Sequence, residues 1–210
     1  MHRYDPARQR LALGLAGLAG LVDATGFVVA GGYFTSFMSG NTTRMGVELA
    51  ARPALALVPL GLIACFLAGV IAGALIGPRF AGRHKRVLLG LVAGLLGCGA
   101  ASLAGGWPVP FLALAAAAMG LANNVFARDG EVTVGVTYMT GALVRFGQGI
   151  AGRIGGRPLP STRGYGLLWS ALAMGAAAGG GLCLVSPLLA AAAAFLAALV
   201  LWGFAFRVER

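Results

Sequence analysis

Six stretches of this chain are apolar for about 20 residues at a time, the length an α-helix needs to cross roughly 30 Å of hydrocarbon. They run from Leu11 to Gly31, Ala54 to Gly77, Val87 to Gly105, Phe111 to Ala127, Gly164 to Ser186 and Leu188 to Phe206. Of the 210 residues, 59% are hydrophobic and 10% are charged, against roughly 25% charged in an ordinary soluble domain. So little charge cannot cover a water-facing surface, and the bilayer is the expected solvent. The expected fold is an all-α integral membrane protein.

The net charge of +10 does not point to nucleic acid, because the basic residues sit at the edges of the apolar blocks and form no stripe. They report orientation instead. Arg3, Arg8 and Arg10 precede the first block, which is too long and too rich in glycine for a cleaved leader and reads as a retained helix. The loop from Pro78 to Arg86 is strongly basic, whereas Gly106-Trp107-Pro108-Val109-Pro110 is uncharged. Positive charge favours the cytoplasmic side, so these loops face opposite ways. Both termini are then cytoplasmic, as are the connection holding Arg128, Arg145, Arg153, Arg157 and Arg163 and the tail from Arg207 to Arg210. The expected location is the bacterial inner membrane. Cys65, Cys98 and Cys183 lie in separate blocks without CxxC spacing and read as buried thiols, with no disulfide framework, metal or cofactor expected.

An internal repeat narrows the architecture further. Phe37-Met38-Ser39-Gly40 with Arg44, Gly46 and Arg52 recurs, at one constant offset, as Tyr138-Met139-Thr140-Gly141 with Arg145, Gly147 and Arg153. Gly69-x-x-x-Gly73 recurs as Gly175-x-x-x-Gly179, small-residue faces that let helices approach closely. Three spans separate corresponding points, and an odd number reverses direction through the membrane. The expectation is two inverted three-helix repeats, residues 1–105 and 106–210, within a single membrane domain. That symmetry is common among secondary transporters, whose sites lie where the halves meet.

Each half contains a stretch too long for a turn and too apolar for a comfortable loop, Tyr33 to Arg52 and Val132 to Arg153. A β-prone run (Tyr33 to Met38, Val132 to Met139) leads into Ser/Thr-Gly and then a helix-compatible segment. Ser39 and Thr140 read as N-caps of re-entrant half-helices, whose starts would face one site from opposite sides and favour an anion or an electron-rich group. Gly40, Asn41 and Gly141 would line that place, and Arg44 and Arg145 would add positive charge. Ordinary surface loops with arginines anchored at the headgroups are the competing reading. Asp23 is the acidic residue deep in a span, and an intramembrane carboxylate is a functional candidate by default. Opposite it stands Asn124 by gapless alignment, or Asn123 with a one-residue slip. The group could bind a cation or proton, or lock a helix contact. Glu48 is expected to pair with Arg44 or Arg52 at i, i+4 spacing.

These residues resemble the YoaK-like bacterial membrane proteins, a family defined only as a domain of unknown function. The resemblance spans nearly the whole chain. It rests on Val22-Asp23-Ala24, on Met38-Ser39-Gly40-Asn41 where the family usually has Met-Thr-Gly-Asn, on Ala118-Met119-Gly120-Leu121 with Asn123, and on Thr137-Tyr138-Met139-Thr140-Gly141. Ala122 stands where the family tends to have Gln, and Val136 where it tends to have Thr. The resemblance implies the membrane fold and no activity.

The functional expectation is a small-solute permease, secondary-transporter-like, for a small anion or weak acid with proton coupling. Its expected partners are the bilayer and a small solute or ion, with a homodimer as the arrangement that would enclose a solute more easily. The alternative is a non-transporting membrane protein, either a structural or sensory subunit or an intramembrane enzyme. Enzyme chemistry is not expected, because His2 and His84 lie outside the apolar blocks and neither GxSxG nor HExxH occurs.

Overall fold

The structure, a computed structural model, describes residues 5–128, 131–132, 139–157, 159 and 162–209. Its first helix, α1 (Pro6–Val29), starts where Asp5 accepts the Arg8 backbone N–H at 2.9 Å and Pro6 occupies a position that needs no N–H partner. It stops at Gly31 and Gly32, whose φ values of 66° and 108° suit glycine alone. The chain then doubles back and enters α2 (Met38–Ala51), followed by α3 (Leu57–Ile76), α4 (His84–Ala104) and α5 (Pro108–Ala122). A two-residue antiparallel ladder pairs Ala127 with Val132 and Arg128 with Glu131. The remaining helices are α6 (Met139–Ile154), α7 (Tyr165–Val185) and α8 (Pro187–Val208), the last capped by the Ser186 hydroxyl.

Five of these helices are long and apolar enough to cross a membrane, and α5 is a shorter apolar helix. Their outward faces carry side chains such as Leu184, 90% exposed, and Val200, 71% exposed, which only a lipid solvent makes comfortable. The chain is thus an all-α, multi-pass membrane protein. Two boundaries differ from the sequence reading. α1 begins at Pro6 and not at Leu11, because Asp5-Pro6 is a strong start signal that apolar counting passes over. The fourth block ends its helix at Ala122 and not at Ala127, because Asn123 to Phe126 turn tightly, through bonds such as Asn124 N–H to the Leu121 carbonyl.

The N-cap assignments are corrected too. Ser39 is already inside α2, whose cap position is Phe37 with no side-chain bond, and Thr140 is likewise inside α6. The helix starts two residues earlier than the Ser-Gly signal suggests, because the Phe37 carbonyl accepts the Asn41 N–H at 3.2 Å. Of the second β-prone run, residues 133–138 lie outside the described residues, as do Arg3 and Arg210.

The helices pack in exchanged pairs. α1 lies against α7 and α8, α5 against α3 and α4, and α4 against α8. α2 leans on α3, and α6 on α7. The closest approaches use glycine against backbone, where no Cβ fits. A Cβ on Gly179 would stand 2.6 Å from the Leu21 carbonyl oxygen, and Cβ atoms on Gly20 and Gly175 would collide with the carbonyls of Leu172 and Gly17. On the other pair, Cβ atoms on Gly69 and Gly120 would collide with the carbonyls of Ala117 and Phe66. Gly14 meets Leu201, so the start of α1 lies beside the end of α8. The buried Glu209 carboxylate accepts the Lys85 N–H at 2.7 Å and the Arg86 N–H at 3.3 Å, which ties the start of α4 to that same end. The basic segments around Arg8, Arg86 and Arg207 therefore share one end of the bundle.

A leucine at Gly20 must push α7 away, whereas Gly61, with nothing near its Cβ position, faces outward. Gly20→Leu should therefore cost at least about 1–3 kcal/mol, seen as lost folded yield or a melting temperature several degrees lower in detergent. Gly61→Leu should match wild type in the same thermal scan. Equal melting of the two variants would show that the α1–α7 contact does not hold the bundle.

Candidate functional site

The polar groups of the first half gather where the chain doubles back along α1. Thr35 lies beside Gly26, and its hydroxyl donates to the Val22 carbonyl at 3.2 Å. That places the segment about 10 Å back from the end of α1, counting 1.5 Å per residue. Its backbone would be without partners there, and two side chains supply them. Oδ1 of Asp23 accepts the N–H groups of Thr35 at 2.8 Å and of Ser36 at 2.7 Å. Asn41, fully buried, accepts the Phe34 N–H at 2.9 Å and donates its Nδ2 to the Phe34 carbonyl at 2.6 Å. Asp23 on α1 and Asn41 on α2 thus hold three consecutive residues between them.

Aromatic packing closes the same corner. Phe34 meets Phe27 at 5.0 Å and Phe37 edge-on at 5.2 Å. Gly40 is glycine because a Cβ there would strike the rings of Phe37 and Phe34. The Tyr33 hydroxyl donates to Glu48 at 3.2 Å, and Glu48 is paired with Arg52 at 3.0 Å. Of the two partners expected for Glu48, the structure selects Arg52. Arg44 instead lies 5.6 Å from the centre of the Tyr33 ring, and Arg145 lies 5.2 Å from that of Tyr165, a cation–π arrangement in both halves. Ser39 is exposed, and its carbonyl accepts from the Thr43 hydroxyl at 3.2 Å.

The second-half residues are placed separately. Asn123 and Asn124 follow the end of α5. Nδ2 of Asn123 donates to the Met119 carbonyl at 2.9 Å, and that of Asn124 to the Val70 carbonyl on α3 at 3.1 Å. Thr140, Gly141 and Arg145 lie on α6, with Thr140 and Arg145 exposed. The glycine contacts choose between the two alignments of Asp23. Gly20 against α7 and Gly120 against α3 play the same part, and Asp23 and Asn123 each lie three residues beyond, so Asn123 corresponds to Asp23. Sequence reasoning missed Thr35 and Ser36 as partners of Asp23, and Gly26 as the place where Thr35 packs. The one available signal was a β-prone run with two hydroxyls a short distance from a lone acid.

The arrangement spares the carboxylate of Asp23 an unpartnered burial and ties it to the non-helical connection between α1 and α2. It also forms one wall of a cleft between α1 and α7 of about 370 Å³. Among the described residues no cluster of three His, Cys, Asp or Glu that could hold a metal is found.

Comparison with known proteins bears on the whole chain. The family described as "Protein of unknown function (DUF1275)" matches residues 11–205. Over 150 residues the chain is 38% identical to the UPF0700 transmembrane protein RA0705 of Rhizobium meliloti (strain 1021). That alignment covers 68% of this chain and 64% of the relative, so the chain spans less than two thirds of that protein's length. No solved structure matches the chain.

Removing an acceptor leaves buried N–H groups without partners, at about 1–3 kcal/mol. Asp23→Ala and Asn41→Ala should therefore lower the melting temperature in detergent by several degrees, whereas Asp23→Asn, which keeps an oxygen for Thr35 and Ser36, should fall much less. An Asp23→Ala variant as stable as wild type would mean that these bonds do not hold the connection.

Proposed function

The chain belongs to the DUF1275 family of unknown function, and from that premise we propose that it is a small-solute permease of the bacterial inner membrane, with both termini cytoplasmic. In this reading it is built from two inverted repeats, residues 1–105 and 106–210. The exchanged pairing carries the proposal. α1 of the first half packs on α7 of the second, α5 of the second packs on α3 of the first, and both contacts use glycine against backbone. Both seams bring backbone to backbone at their glycines, and each lies near a non-helical connection, after Val29 in one case and after Ala122 in the other. Two equivalent seams that open in turn would give alternating access.

Asp23 is the proposed coupling group. Adding a proton to its carboxyl weakens its hold on the Thr35 and Ser36 N–H groups, which would link proton binding to movement of the connection. One observation favours the alternative, a structural or sensory subunit without transport. The bonds of Asp23 and Asn41 are made within the first half, so they are equally suited to holding one fixed shape.

Purified protein in sealed vesicles, loaded in turn with small anions, weak acids and neutral metabolites, tests the reading. Flux above protein-free vesicles is expected, and Asp23→Asn should lose its pH dependence while remaining folded. Absence of flux across the panel, or a wild-type pH profile in the variant, would favour the non-transporting alternative. For orientation, an alkaline-phosphatase fusion after Arg86 should be inactive. An active fusion would place the basic end outside.

A further inference from the structure

A second cleft answers the first. The one beside Asp23 is also lined by Ala24, Phe27, Phe34, Ala176 and Gly180. The other, about 510 Å³, lies between α3, the start of α4 and the turn after α5, and is lined by Gly73, Ala74, Gly77, His84, Asn124 and Ala127. The glycine contacts relate the two. Gly20 against Leu172 and Ala176 has its counterpart in Gly120 against Phe66 and Val70. In that register Gly180 corresponds to Ala74, Ala24 to Asn124 and Phe27 to Ala127, and each of these six lines its own cleft. They lie toward opposite ends of the bundle. The second contains His84, at the end shared by the start of α1 and the close of α8, whereas the first lies along the far half of α1.

Neither cleft is built for a charge. Oδ1 of Asp23 is engaged by two backbone N–H groups. Arg44 and Arg145 cover tyrosine rings and line neither space. Nε2 of His84 lies 2.8 Å from Nζ of Lys85, a contact in which the imidazole nitrogen accepts when the lysine is protonated. An anion entering either cleft would lose hydration and meet no lining Arg or Lys, and a cation would find no carboxylate in the second cleft and, in the first, one whose Oδ1 is already taken. Both volumes fall within the roughly 300–1,000 Å³ of small-molecule sites. Each cleft offers one or two polar side chains on otherwise small or apolar walls.

We propose that the two clefts are the two mouths of one path, and that its solute is a small uncharged molecule with an apolar body and one or two hydrogen-bonding groups, an undissociated weak acid among them. This rests on the permease reading and narrows its substrate class. Asp23 at one mouth and Asn124 at the other are the groups that would orient the solute.

Thiol reactivity at corresponding positions tests this without any flux measurement. Gly180→Cys and Ala74→Cys are made singly in the full chain, with Cys65, Cys98 and Cys183 replaced by alanine. Each is reacted in membranes with N-ethylmaleimide, with an anionic and with a cationic methanethiosulfonate, and each rate is divided by that reagent's rate with free cysteine. Both positions should react with the maleimide, by this measure, at least about tenfold faster than with either charged reagent. Leu184→Cys, on the lipid-facing surface, should react with none. Adding Ala74→Trp, or Ala74→Leu where tryptophan prevents insertion, should change the rate at Gly180→Cys at least about fivefold, because filling one mouth shifts the balance between the two. Rates at both positions as low as at Leu184→Cys would show dry, lipid-filled grooves and overturn the proposal. Equal rates with a charged reagent would overturn the uncharged class, and an unchanged rate beside the filled mouth would overturn the single path. Reactive, coupled clefts in a protein that moves no solute would remove the permease reading alone.

Discussion

An amide group in hydrocarbon has no water to turn to, and much of this structure follows from that constraint. Helices meet it internally. The segment between α1 and α2 is not helical, yet it lies back along α1 beside Gly26, and so it needs partners from elsewhere. Asp23 and Asn41 provide them, from two helices, to three successive residues. The otherwise costly carboxylate and the polar signature on α2 are explained together. Each would be expensive alone in this setting, and each offsets the cost of the other element.

A second consequence concerns how the helices recognise one another. Among lipid tails, apolar side chains gain nothing by leaving the surface, so close packing and not hydrophobicity selects the pairs. Gly20, Gly175 and Gly179 bring α1 and α7 to backbone contact, and Gly69 and Gly120 do so for α3 and α5. This explains why the pairs are exchanged between the halves. The α4–α8 contact, by contrast, is fastened at one end by Glu209 on the start of α4. The bundle therefore has one charged, tied end and two smooth seams running away from it.

What the sequence made legible follows the same division. Spans, the glycine pairs and the Glu48 partnership could be read because each depends on length or fixed helical spacing. The Asp23 carboxylate stands out in the sequence, but its partners do not, since they are backbone groups and carry no residue signature. Ser39 looked like a cap because its type is right, yet the Phe37 carbonyl takes the first helical bond. The early end of α5 was hidden because Val125, Phe126 and Ala127 resume the apolar run beyond the two asparagines, although the chain has already turned. Which helices pair was not legible at all, because lipid-facing and helix-facing surfaces are equally apolar.

The two halves correspond in their seams but differ in their locks. Where the first half has Asp23, the second has Asn123, whose Nδ2 is donated within its own turn to Met119. Where the first has Asn41 clamping Phe34, the repeat places Ala142, buried and without a polar group. A symmetric machine would need the same chemistry at both breaks. At these corresponding positions the first half thus carries a carboxylate and an amide clamp, and the second carries an amide and an alanine. Under the proposed permease reading, the second half supplies the matching seam and the complementary mouth, while the carboxylate that could couple to protons belongs to the first.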